Sequence, residues 1–149
     1  MASPAIATAP STASPTPQEI SFPLPQALHT TAHIHLTRLA TCATVFLASS
    51  STPGDAAGSG SGSLKPMGSL VYAMPDLKNP SQPLSTILYS APSSVEYTTR
   101  VAKILARRMR VPVYVGCSID PVALGLMVEE EMEGVRRVVE VVMERWEKY

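Results

Sequence analysis

The segment SSVEYTTRVAKILARRMRVPVYVGC, residues 93–117, admits few structures. Val101, Ile104, Leu105 and Met109 recur at the spacing of one helical face, and Arg100, Lys103, Arg107, Arg108 and Arg110 give the same helix a charged surface. Ser93 or Ser94 can cap its first turn, where Glu96 also favours the helix dipole. Pro112 has no backbone donor and disfavours helical geometry at Val111, so the helix stops and the β-rich run VYV begins. A helix, a tight connection and a strand must each bury one side, so the flanking chain has to supply the other layers.

At 149 residues, the chain has the length of one domain with a real core. The Pro-, Ser- and Thr-rich residues 1–19 cannot cluster enough apolar surface to fold and are expected to be a disordered tail, leaving residues 20–149 as the domain. Phe22, Leu24 and Leu28 are its first anchors, with Pro23 and Pro25 imposing an extended approach unsuited to a central strand. Ile34 and Leu36 alternate with His33, His35 and Thr37, and Val45 and Leu47 alternate with Thr44 and Phe46, which predicts two strands turning at residues 40–42. Gly and Ser dominate about residues 50–66, a flexible loop without the Lys-Ser/Thr ending of a phosphate-binding turn. MGSLVYAMP, LSTILY and Val113–Cys117 supply three more strands, and VALGLMV, residues 122–128, a sixth. Met132, Val135, Val139, Val142 and Trp146 then trace a second helical stripe.

The expected fold class is α+β: a mainly antiparallel six-stranded sheet with two amphipathic helices on one face, the other face available for a partner sheet. Phe46, Tyr72 and Tyr114 interleave with Val45, Val71 and Val115, so both sides of these strands carry apolar side chains. Two helices cover only one side, which makes the three aromatic residues a candidate partner interface and dimerisation the expected state.

Catalytic and ligand chemistry finds little support. His33 and His35 project from one strand face, but the third ligand of a zinc site and any HExxH pattern are missing. Cys117 paired with a histidine would need a lowered thiol pKa and an oriented imidazole, neither of which the residue pattern supplies. Glu129, Glu130 and Glu131 crowd a helix start, where dipole stabilisation accounts for them. The chain is therefore expected to be no enzyme and to need no cofactor, with Cys42 and Cys117 as reduced thiols. It has no apolar run long enough to cross a membrane as a helix and no secretory signal, which leaves a cytoplasmic or nuclear address by elimination. Lys103, Arg107, Arg108 and Arg110 form a candidate basic recognition surface. An acidic protein surface suits it better than nucleic acid, because total charge is balanced at 12 basic and 12 acidic residues. A small RNA-binding module using this helix is the alternative reading, although Tyr72 and Tyr114 do not form a recognised RNA-binding motif.

The segments TTRVAKILARRMRVPVYV and ALGLMVEEEMEGV, with IHLTRLATCATVFLAS, SLVYAMP and STILYS before them, resemble in their order the proteasome assembly chaperone 4 family. The resemblance spans most of residues 29–135. Ala102, Leu105, Ala106 and Arg107 match the family's helix, Val113, Tyr114 and Val115 its following strand, and Leu124, Leu126, Met127, Val128 and Glu129 its last strand and approach to the terminal helix. The resemblance implies a non-enzymatic chaperone that forms a heterodimer with proteasome assembly chaperone 3. The pair would bind the alpha-5 subunit during assembly of the 20S proteasome alpha ring and leave as assembly proceeds. The Pro-rich tail, the Gly/Ser loop and the ending RRVVEVVMERWEKY depart from the family pattern.

Overall fold

A computed structural model describes residues 15–27, 29–51 and 66–148. Six strands, β1 (Gln18–Pro23), β2 (Thr30–Arg38), β3 (Ala43–Ser51), β4 (Ser69–Met74), β5 (Leu84–Tyr89) and β6 (Val113–Cys117), form one sheet in the order β1-β2-β3-β6-β4-β5. Four of the neighbouring pairs are antiparallel, and β3 and β6 are parallel. Parallel pairing demands a long crossover. The chain makes it through β4, β5 and helix α1 (Val95–Met109), so the late strand β6 enters the middle of the sheet. Helix α2 (Val128–Lys148) ends the described chain.

The two expected helices and the α+β architecture are present, with both helices on one face of the sheet. One expected strand is not where the sequence pattern puts it. VALGLMV forms turns instead: the Asp120 carboxylate accepts from the amides of Val122 and Ala123, Leu124 N–H donates to the Asp120 carbonyl, and Gly125 takes the left-handed conformation at φ 69°. Local hydrogen bonding by Asp120 outcompetes the period-two pattern. The sixth strand is β1, which begins at Gln18, inside the stretch expected to be disordered through Glu19; residues 1–14 of that stretch lie outside the described residues. Pro23 is tolerated because β1 is an edge strand, and Phe22 is buried against the core. Of the Gly/Ser loop expected over about 50–66, Ser50 and Ser51 belong to β3, and residues 52–65, including the GSGSGS run, lie outside the described residues. Leu28 also lies outside them.

The helix-facing side of the sheet is dry and aliphatic. Ala32, Ile34 and Leu36 of β2, Val45 and Leu47 of β3, Val71 and Ala73 of β4, and Val113 and Val115 of β6 are buried there. From above, α1 contributes Val101, Ala102, Leu105, Ala106 and Met109. The small side chains of Ala102 and Ala106 let α1 lie close against β4 and β6. Helix α2 packs beside α1 and reaches over β2. Val135, Val138, Val139 and Val142 form its buried stripe, whereas Met132, expected to share it, is 45% exposed, and its neighbour Glu131 turns inward instead to pair with Arg100. Arg38 fastens the far end of α2 by donating to the Trp146 carbonyl at 3.3 Å and stacking 4.3 Å from the indole centroid.

The α1 start also differs from the expected cap. Ser94 occupies the N-cap position but its hydroxyl makes no capping bond. It lies buried, 2.9 Å from Ser69 Oγ, and Ser69 in turn donates to the Ala91 carbonyl and accepts from the Ala91 amide. This buried network pins the β5–α1 connection to β4. At the other end, Arg110 turns left-handed at φ 58° and its amide bonds the Ala106 carbonyl, which closes the helix before Pro112.

Candidate functional site

Side chains alternate across a strand, so burying Val45, Val71, Val113 and Val115 under the helices commits Phe46, Tyr72 and Tyr114 to the opposite face. The register then brings the three residues together. Tyr114 of β6 is paired with Tyr72 of β4, and their rings meet at 4.8 Å with a 52° tilt. Phe46 of β3 stands opposite Gly116 of β6. A Cβ at Gly116 would lie 2.7 Å from the Phe46 ring, so glycine leaves the room that the ring occupies beside β6. Phe46 remains 44% exposed while Tyr72 and Tyr114 are half-buried by each other and their neighbours.

The register adds residues that sequence patterning did not single out. Leu70, Met74, Leu84 and Tyr89 fall on the same face as Tyr72 by their pairing, and Met67 approaches Gly116 beside Phe46. Leu84 and Tyr89 are 55% and 61% exposed. The signal for Leu84 and Tyr89 was a strand with no charged residue; the side that Tyr89 faces depends on a register shift near Leu70, which no sequence pattern reports.

The open face is apolar over β3, β6, β4 and β5 and polar over β1 and β2. Glu19, Ser21, His33 and His35 share the polar half through the β1–β2 register. His33 bridges two hydroxyls, with Nδ1 2.9 Å from Ser21 Oγ and Nε2 2.7 Å from Ser50 Oγ, and His35 Nε2 lies 3.6 Å from the Glu19 carboxylate. The two histidines do share a face as expected, but among the described residues no group of His, Cys, Asp and Glu is arranged to hold a metal. An open cavity of about 520 Å³ lies at the border of the two halves, lined by His33, His35, Phe46, Met67, Gly116 and Ser118 among others.

Cys117 is on the helix side, fully buried, with its sulfur accepting from the Ile119 amide at 3.4 Å. Burial pushes its thiol up to about 11, against the small lowering effect of the Ile119 and Thr98 hydrogen bonds. That is the electrostatic setting of a packed thiol, the reverse of an activated nucleophile. Burial also raises the Tyr97 phenol, helped by Cys117 and Glu131, and its hydroxyl has no hydrogen-bond partner among the described residues.

The four basic residues separate. Lys103 and Arg107 line a groove between α1 and the loop before β5, with Arg100 and Ile104 beside them. Arg108 and Arg110 are exposed but do not line it. The tyrosine pair is on the open face and the basic residues are on the helix layer, so a stacking platform and a cationic track do not combine into one nucleic-acid surface.

This arrangement has a counterpart among known proteins. The family described as proteasome assembly chaperone 4 matches residues 31–119 of the chain. The chain belongs to that family. Its general role is accordingly that of a proteasome assembly chaperone, and the matched segment runs from β2 through β6, which contains the whole apolar half of the open face. No curated protein matches the chain in sequence. Seven chains of solved structures are similar in fold. One belongs to a crystal structure of a chaperone complex for yeast 20S proteasome assembly; it is 14% identical, the likeness covers 88% of this chain and 93% of that one, and the TM-score is 0.50. At this identity the likeness concerns the fold.

Proposed function

We propose that this chaperone acts as one half of a heterodimer with proteasome assembly chaperone 3, packed sheet against sheet, and that the pair binds the alpha-5 subunit while the alpha ring of the 20S proteasome is assembled. The observation that carries the reading is the uncovered apolar half of the sheet around Phe46, Tyr72 and Tyr114. Large rings clustered at the centre of a face, with polar residues along one side, are the anatomy of a protein interface. The polar β1–β2 half would form its rim. The chain works in this reading by occupying surface and not by chemistry: it holds an alpha subunit until later neighbours compete for the same contacts. Its place of action would be the cytoplasm and nucleus.

The test is reconstitution of the full chain with proteasome assembly chaperone 3, followed by native mass spectrometry and addition of the alpha-5 subunit. A one-to-one complex that captures alpha-5 is expected, and Phe46→Glu should abolish it while circular dichroism remains unchanged. A well-folded chain that ignores both proteins would defeat the proposal. Retention of RNA by that chain would favour the nucleic-acid alternative.

A further inference from the structure

The two edges of the sheet are built differently. Strand β1 carries Glu19 and ends on Pro23, both of which discourage another strand from pairing. Strand β5, LSTILY, carries no charge, proline or glycine, and among the described residues no strand covers the side away from β4. Its Leu84, Ile87, Leu88 and Tyr89 are all more than half exposed. An apolar, uncharged edge, in regular register from Leu84 to Ile87 and shifted only beyond it, is a template for pairing unless something occupies it.

What lies under that edge specifies the occupant. Helix α1 runs back along β5 after the connecting turn, and two adjoining grooves separate them. One, of about 370 Å³, lies between Ile87 and the Glu96–Lys103 part of α1; the other, of about 440 Å³, lies between Pro83 and the Arg100–Arg107 part. Arg100 is engaged by Glu131 at 3.0 Å. Among the described residues, Lys103 and Arg107 have no carboxylate within ion-pair distance. An added strand would alternate its side chains between these cations on the helix side and the apolar extension of the open face on the other.

We propose that the free edge of β5 receives an extended segment of a partner protein as a seventh strand, with acidic side chains at alternate positions facing Lys103 and Arg107 and apolar side chains on the open face. Backbone pairing supplies affinity, and the acidic/apolar alternation supplies specificity. A second copy of this chain fits poorly, because β5 pairing with β5 would bring Lys103 and Arg107 toward their own equivalents. The edge adjoins the Phe46–Tyr72–Tyr114 face through Leu84 and Tyr89, but its backbone groups and the Lys103–Arg107 groove lie outside that cluster, so the two surfaces are tested by different variants.

The probe is a fluorescent peptide of about nine residues, a typical strand length, alternating Glu and Val. Its binding to the full chain is followed by anisotropy. Four comparison peptides are used: Lys/Val alternation, the same Glu and Val residues in two blocks, and two forms of the Glu/Val peptide N-methylated at every second amide, one in each phase. The Glu/Val peptide should bind best, and only one methylation phase should abolish binding. The double variant Lys103→Glu/Arg107→Glu, whose side chains are exposed, should weaken it by about tenfold or more and favour the Lys/Val peptide. Absence of binding, equal binding of both methylated phases, indifference to the charge reversal, or displacement by oligouridine would each overturn the proposal. Loss of peptide binding with an intact companion complex would leave the sheet-face reading standing, so the two can fail separately.

Discussion

Tyr114 and Val115 are adjacent in β6 and lie on opposite faces of one sheet, and nearly everything about the protein follows from that difference. Val115 is completely buried under α1, among aliphatic side chains that no water reaches. Tyr114 leans on Tyr72 over an uncovered surface. One face holds the fold together, and the other is equally able to exclude water but is covered by no helix or strand among the described residues. The same driving force, burial of apolar area, is spent on folding on one side and remains for association on the other.

The sharpest way to break this contrast is to place the same charge on each neighbour. Val115→Asp puts an unpaired carboxylate in the core at a cost of several kcal/mol, a large part of a typical domain stability of about 5–15 kcal/mol, and is expected to unfold the protein in thermal denaturation. Tyr114→Asp is expected to leave a cooperative unfolding transition while abolishing capture of the companion chain. A variant pair with the two phenotypes exchanged would refute the assignment of faces.

A smaller effect distinguishes the faces by pH. Cys117 is an acid whose folded pKa of about 11 lies above its ordinary value near 9, so the buried neutral thiol favours the folded state. That contribution is complete below pH ~9 and is lost as pH rises toward ~11, at most about 2–3 kcal/mol in all. Urea titrations at a series of alkaline pH values should show stability falling across this window. Cys117→Ser should flatten the fall, leaving the part contributed by Tyr97, whose phenol is shifted in the same direction.

The smallest expected effect has the opposite sign. Tyr97 buries a hydroxyl without a partner, next to the place where α2 passes at Gly134. Tyr97→Phe removes that unsatisfied group while keeping the ring, and should raise stability by about 1 kcal/mol in denaturant unfolding without affecting partner capture. A loss of stability would mean that the hydroxyl is satisfied in solution and that the helix side is wetter than its aliphatic lining implies.

What was legible in the amino-acid sequence was local or periodic. The helical spacing through Val101, Leu105 and Met109 located α1, Pro112 located its end, and alternation around Ile34, Val45 and Val71 located strands and separated their two sides. Phe46, Tyr72 and Tyr114 were recognisable as side chains left over once the valines were assigned to a core. VALGLMV misled for a physical reason: its alternation is genuine, but Asp120 and Gly125 close it into turns before a strand can form. β1 was hidden by the opposite circumstance, a proline-rich composition that an edge strand tolerates and an interior one does not.

The amino-acid sequence by itself determined the class of layers, the position of the helix–strand unit and the excess of apolar side chains over what two helices can cover, because propensity and periodicity act over a few neighbouring residues. Only the tertiary structure decided that β6 enters between β3 and β4, that Tyr114 therefore meets Tyr72, that Gly116 makes room for Phe46, and that β5 is left as an uncharged edge above Lys103 and Arg107. Those outcomes depend on which strands pair and in what register, a choice made by burying all the apolar faces of the chain at once.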